Sequence, residues 1–434
     1  MKMFYGKKLL ILGANPETMA IVNKANSMGV TTIVTDYNPS APAKKIASRS
    51  YDVDCLDIPA VIDLALSENV DGVLVGVADV LVQAYQLICD TLKFPCYLTN
   101  DLVNVFSNKY NFKRTCEKYG ILGIPEYNIK DNNVIPPDIK YPVMVKPVDN
   151  CSGKGMSICF NEHELRLGIS KAISMSRTGK YLVERFMTCD DLMLYYTFKD
   201  GYHSLSMIGD RYTCVEQAGV SPVCVGDCFP SRYVDLYFEK VHNKMCNLFD
   251  DLHIDNGVLL IQAFVEEDNF YVYDPGMRLQ GCALHLLIDA INGFDQIEML
   301  IEFALTGSMG SIDLKAQDDY LLKGKTAGSL WFLLKEGTIG SISGLSDLHS
   351  DSRVINVLQR FDVGDVITKD MIGTEQQVFA RLHIVCDTKR DYAETITEFE
   401  KKIHVLDTYG NNMLLTGFNP SKLFPESNDD FLIS

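Results

Sequence analysis

No apolar run in this 434-residue chain reaches the roughly 20 residues needed to cross a bilayer, so no membrane-spanning helix is read. Basic residues are few beside acidic ones: 40 Lys and Arg against 57 Asp and Glu leave a net charge of −17. Nucleic acid and anionic membrane reward clustered cations, so neither is expected as a main partner. A small anionic ligand stays open, because it needs only a local positive pocket. Two glycine patterns are also missing. The first glycine turn reads GANPET, with Gly13 but without the second and third glycines of a GxGxxG dinucleotide loop. The P-loop pattern GxxxxGK[ST] fails at Val148, where its first glycine belongs, and at Gly155, which follows Lys154 in place of Ser or Thr. There is no internal repeat and no long low-complexity linker. The 13 cysteines are scattered and odd in number, which argues for a reducing, cytoplasmic location and against a disulfide framework. Cys214, Cys224 and Cys228 lie close together, but no second pair completes a zinc site.

The start, MKMFYGKKLLILG, is basic and then apolar like a signal peptide. Its apolar part is short and runs into a glycine turn, so a buried first strand is read. Strand KLLILG, helix ETMAIVNKANSMG, strand TTIVTD, helix IPAVIDLALSEN, strand DGVLVGVAD, helix VLVQAYQLICDTL and strand PCYL follow in alternation. That alternation predicts an α/β domain over residues 1–97, a parallel sheet with helices on both faces. Asp36 ends the second strand at roughly the spacing of a ribose-binding acid, but without the glycines this domain reads as a scaffold. Its loop from Gly76 to Asp79 falls at the carboxyl edge of the sheet, where ligands gather in open α/β folds. Residues 98–310 form a second region of helices and strands, and 311–434 an α+β lobe ending in a polar, acidic tail.

The stretch PVMVKPVDNCSGKGMSIC (142–159) is a strand, a glycine-rich loop and a return strand. Backbone N–H groups from Ser152, Gly153, Lys154 and Gly155 can fold over phosphate oxygens. Lys146 ends the apolar strand with no obvious local acid, and a lysine held there wants an anionic partner. Further on, GVLLIQAFVEEDNFYVYDPGMR (257–278) reads as a hairpin with a polar turn. Centring that turn on Asp268 places Gln262 opposite Asp274, with Cβ atoms about 4.5–5.5 Å apart.

In order, SNKYNFKR with Lys109, PVMVKPV with Lys146, CSGKGMS, YLVERFM with Glu184 and YVYDPGMRLQG with Asp274 and Arg278 resemble the ATP-grasp superfamily. The match in order and spacing covers roughly 100–310, and the flanking domains resemble those of the biotin carboxylase and carbamoyl phosphate synthetase branch. The resemblance implies an N-terminal parallel-sheet domain, a two-lobed α+β ATP-grasp domain with a flap over about 125–187, and a C-terminal α+β lobe. It implies that Lys109 and Lys146 hold ATP phosphates, as compact point charges suit a phosphate clamp. It assigns the hinge main chain at Arg185 and Met187, beside Glu184, to the adenine edge, and Asp191 to the ribose hydroxyls. Magnesium (or manganese) would be held by Asp274 and Gln262. The family usually has an acid at position 262 and often an asparagine at 276; here Gln262 offers a carbonyl without charge and Gly276 only backbone.

Arg278 suits a carboxylate or acyl phosphate, and Gly281 would let substrate approach the backbone. His285, at a helix start, is read as a general base or a core contact, and Arg211 and Ser231 as loop residues near an acceptor pocket. The activity implied is an ATP-dependent ligase that activates a carboxylate, with Lys146 and Arg278 catalytic, and couples it to an amine. A bicarbonate- or formate-using enzyme of the same fold is the alternative, and a nucleotide-binding pseudoenzyme with a weakened metal site a third reading. The partners expected are a small-molecule carboxylate and an amine, with a homodimer as the candidate assembly.

Overall fold

The computed structural model describes residues 4–129, 134–150, 154–214, 222–415 and 417–425. The chain is mixed α/β and forms two compact units: one from residues 1–123, 194–206 and 235–319, the other from 124–193, 207–234 and 320–434.

In the first unit, β1 (Lys8–Leu12), β2 (Thr31–Thr35), β3 (Arg49–Tyr51) and β4 (Gly72–Val75) form a parallel sheet in the order β3-β2-β1-β4. Leu10 pairs with both Ile33 and Val73, so β1 is central, and its apolar run is buried on both faces. Helices Met19–Ser27 and Ile58–Glu68 supply the crossovers from β1 to β2 and from β3 to β4, and helix Val82–Leu92 follows β4. The Asp57 side chain caps the second of these by accepting from Ala60 N.

The expected strand PCYL is not formed, and the fourth strand is β3 instead. Pro95 brings no N–H to a ladder, and Tyr97 packs between Tyr85 (ring centroids 5.3 Å apart) and Phe303 (6.3 Å) without strand pairing. β3 sits at the sheet edge with Arg49 and Ser50 exposed, so it carries no apolar signature. Asp36 has a structural task. Its carboxylate accepts from Ala14 N (2.9 Å) and Asn38 N (2.8 Å), fixing the first glycine turn.

The same unit holds helix Lys109–Lys118 and the hairpin Gly257–Glu266 with Asn269–Gly276. Leu122–Gly123 pairs in parallel with the second strand of that hairpin, and helices His285–Asn292 and Gln296–Thr306 follow.

In the second unit, strands Ser157–Cys159, Val143–Pro147 and Tyr181–Arg185 form an antiparallel sheet, in that order, covered by helix Glu162–Met175. Val143, Val145 and Val183 bury one face against Leu165, Ile169 and Ala172. Asn161 caps the helix as its position before the apolar spacing predicts, accepting from Glu164 N at 3.0 Å. Strands Val354–Gln359, Val378–Cys386, Thr326–Leu333 and Val223–Cys228 make a larger antiparallel sheet. Helix Lys389–Lys402 opens on a capping box between Thr388 and Asp391.

No helix among the described residues is long and apolar enough to cross a membrane.

Candidate active site

In the first unit, Gln262 lies opposite Asp274, as the hairpin reading predicts, but by another route. The tip is a two-residue turn, Glu267–Asp268, with φ of 49° and 60° at its two residues, the left-handed pair of a type I′ hairpin. Glu266 therefore pairs with Asn269 and Ala263 with Val272. A register shift between Gln262 and Ala263 then leaves Tyr273 as an extra, bulged residue, and Gln262 meets Asp274 beyond it. Without the bulge Gln262 would face Tyr273. Bulges of this kind re-aim side chains next to functional sites.

Lys109 donates from Nζ to Asp274 Oδ1. Lys109 is the first residue of its helix, which Asn108 caps by accepting from Tyr110 N (3.1 Å) and Asn111 N (3.2 Å). The lysine expected at phosphate and the carboxylate expected at metal thus already meet. Asp274 with the Gln262 carbonyl is a sparse donor set. It fits magnesium, which takes one or two carboxylates and completes its shell with water and phosphate oxygens. Among the described residues no group of three His, Cys, Asp or Glu side chains is arranged to hold a metal, and this includes the described members of the Cys214, Cys224 and Cys228 set.

Arg278 is nearly buried. It donates from Nη2 to Asp79, and from Nη1 to Leu279 O and Gln280 Oε1, both at 2.9 Å. A Cβ at Gly276 would lie 2.9 Å from Gln280 Nε2 and 3.4 Å from Asp79 Oδ1, so the missing side chain makes room for this cluster. Gly281 lies by Glu17, whose Cγ would be 3.7 Å from an added Cβ. His285 is buried, with neither ring nitrogen hydrogen-bonded among the described residues, and burial pushes its pKa down to about 4. It is a core contact, and a weak, enclosed base.

In the second unit, Lys146 Nζ stands 2.6 Å from Glu184 Oε2, with both side chains about 5% exposed or less (5% and 3%). The expectation of a lysine without a nearby acid is corrected here. Lys146 pairs across strands with Leu182, and Glu184, two residues on, projects from the same face. Arg185 N donates to Pro125 O (2.9 Å) and Phe186 N to Pro142 O (3.2 Å), which pins the hinge strand; Met187 is buried. Gly155 has φ +80°, and a Cβ there would lie 2.7 Å from Pro147 Cγ and 2.9 Å from Met175 Cβ, so only glycine fits. Lys154 is exposed. Ser152 and Gly153 lie outside the described residues.

Asp191 is held by Arg211 at 2.7 Å. Arg211 is not in a loop as expected. It belongs to strand Tyr202–Cys214, directly opposite Asp227, where alternation alone decides which face it takes. Ser231 donates to the buried Asp210. Sequence reasoning missed Asp79 and Gln280 as partners of Arg278. The only signal for Asp79 was its place at the carboxyl edge of the sheet.

Residues 114–311 match the family described as carbamoyl-phosphate synthase L chain, ATP binding domain, an ATP-grasp family, in agreement with the order of these motifs. The chain is 26% identical over 199 residues to a formate-dependent phosphoribosylglycinamide formyltransferase of Sulfurisphaera tokodaii, covering 44% of this chain and 50% of the relative. It is 28% identical over 320 residues to the enzyme of that description from Bacillus velezensis, covering 70% and 77%. The first of these matches thus spans about half of the relative's length. In three dimensions it resembles an L-amino acid ligase from Bacillus licheniformis, with a TM-score of 0.76 at 15% identity over 93% of this chain and 99% of that one.

Proposed function

We propose that the chain is an ATP-dependent ligase that activates a small carboxylate as an acyl phosphate and transfers the acyl group to an amine. Lys146 and Glu184 belong to the phosphate and adenine end, and the hinge main chain at Arg185 and Met187 reads the adenine edge. Asp191, already paired with Arg211, is assigned to the ribose. The glycine-rich loop at 150–155 is assigned the task of excluding water from a hydrolysable acyl phosphate. Lys109 and Arg278 hold the charge that builds up on transferring oxygens, which preorganised cations stabilise without reorganising during the step. Magnesium, held by Asp274 and Gln262, would supply further charge to offset the phosphates.

In the chemistry of this reading a carboxylate oxygen attacks the terminal phosphorus and ADP leaves. The amine then attacks the acyl carbon and phosphate leaves. The observation that carries the reading is the meeting of Lys109, Gln262 and Asp274 from three separate segments. The test is phosphate release from ATP and magnesium by the purified protein, given pooled carboxylates and amines. Release requiring both supports the reading, and ATP binding with no release under any pair sinks it in favour of a pseudoenzyme.

A second reading takes formate as the carboxylate, favoured by the formate-dependent relatives. Phosphate release dependent on formate and an amine would select it. A cytoplasmic location and a homodimer complete the proposal, the latter checked by light scattering.

A further inference from the structure

Gly276 departs from the asparagine usual at its position, and Gln262 from the usual acid, yet the room at Gly276 is used. The segment after the hairpin folds back so that Gln280 Nε2 donates to Gly276 O at 3.4 Å while Gln280 Oε1 accepts from Arg278. Asp79 reaches the same guanidinium from the loop after β4. An added Cβ at 276 would stand 4.0 Å from Arg278 Cζ, besides crowding Gln280 and Asp79. The Arg278 fork is therefore gripped at one nitrogen by Asp79 and at the other by Leu279 O and Gln280, with the bare backbone of Gly276 beneath.

We propose that Asp79 and Gln280 are positioning residues for Arg278, and that Gly276 is required for their grip rather than being a defect of the metal site. This rests on the ligase reading for what Arg278 does, but not for how it is held. A planar guanidinium aims its donors only when its plane is fixed, and a compact ammonium would not need such a grip. Asp79 adds the attraction of opposite charges to its hydrogen bond, which Leu279 O and Gln280 do not. Restoring asparagine at 276 would then not repair a metal site. It would displace Gln280 and turn the Arg278 fork.

Phenylglyoxal labelling of the full chain, without substrates, reads the grip directly, with Arg278 followed by peptide mass spectrometry. Asp79→Asn and Gly276→Asn are each expected to raise the Arg278 labelling rate about tenfold, the worth of one hydrogen bond to an ion. Arg177 and Arg390, both exposed, should label as in the wild type. Asp79→Glu should restore part of the protection, and Gln280→Ala should give a smaller rise. Unchanged Arg278 labelling in the Asp79 and Gly276 variants, at wild-type melting temperature, overturns the proposal.

The second readout is kinetic. Asp79→Asn should lower kcat/KM for the carboxylate, by as much as about a hundredfold, and leave the Kd for ATP unchanged. An equal loss of ATP affinity would point to general damage and count against a positioning role. If the wild type releases no phosphate with any substrate pair, the ligase reading fails and the labelling still decides whether Arg278 is held as described.

Discussion

Lys109 and Asp274, 165 residues apart in sequence, form an ion pair within the first unit. The cation assigned to phosphate and the anion assigned to metal neutralise each other before either ligand arrives. Nucleotide without metal must compete with Asp274 for Lys109, whereas metal and nucleotide together replace both halves of the pair.

Asp274→Asn should therefore tighten metal-free ATP binding a few-fold, since a partly exposed pair is worth up to about 1 kcal/mol. The same variant should lose turnover. Titration calorimetry in excess chelator measures the first and phosphate release the second. Weaker metal-free binding in the variant would contradict the competition.

Lys146→Ala leaves Glu184 buried without its partner, and breaking such a pair costs about 3–5 kcal/mol. The double variant Lys146→Met, Glu184→Gln should recover much of that stability without recovering nucleotide binding. Urea unfolding and ATP titration together separate the two roles. A Lys146→Ala variant of wild-type stability would show that the pair is not closed in solution.

The turn Glu267–Asp268 holds two non-glycine residues at positive φ, each at a cost on the order of 1 kcal/mol. Glu267→Asn with Asp268→Gly, the preferred pair for this turn, should raise the melting temperature and leave turnover unchanged. A lower melting temperature would mean that the turn is of another type.

His285 and Asp227 give opposite pH slopes. Burial pushes His285 down to about 4 from the ordinary 6.5, so the unfolded chain takes up the proton first and stability falls as pH drops from 6.5 towards 4. Burial pushes Asp227 up to about 7 from 3.8, against hydrogen bonds from Ser329 N and Oγ, both at 2.6 Å. Here the folded chain keeps its proton longer, and stability falls as pH rises from about 4 to 7. Relative to wild type, His285→Leu should tilt the stability profile downward with rising pH between 4 and 6.5, and Asp227→Asn should tilt it upward. Melting temperatures across that range test both signs.

The central strands of the first sheet were legible because burial on both faces leaves long apolar runs, as in KLLIL. Arg49–Tyr51 was not, because an edge strand with one exposed side needs no such run. Gln262 and Asp274 were placed opposite each other from a turn centred half a residue off, which moves the register by one, and the bulge at Tyr273 supplied the compensating shift. No local pattern announces a bulge. The acid partners of Lys146 and Arg278 were hidden for another reason: they lie 38 and 199 residues away, and only strand registry and loop placement bring them near.

Three stretches of chain build each unit, so the polypeptide passes from one to the other five times, the last time after residue 319. A ribosome must therefore deliver nearly three quarters of the protein before the first unit owns all its parts. A single protease cut between residues 124 and 319 will strand pieces of both units, and no single cut anywhere liberates one unit free of the other.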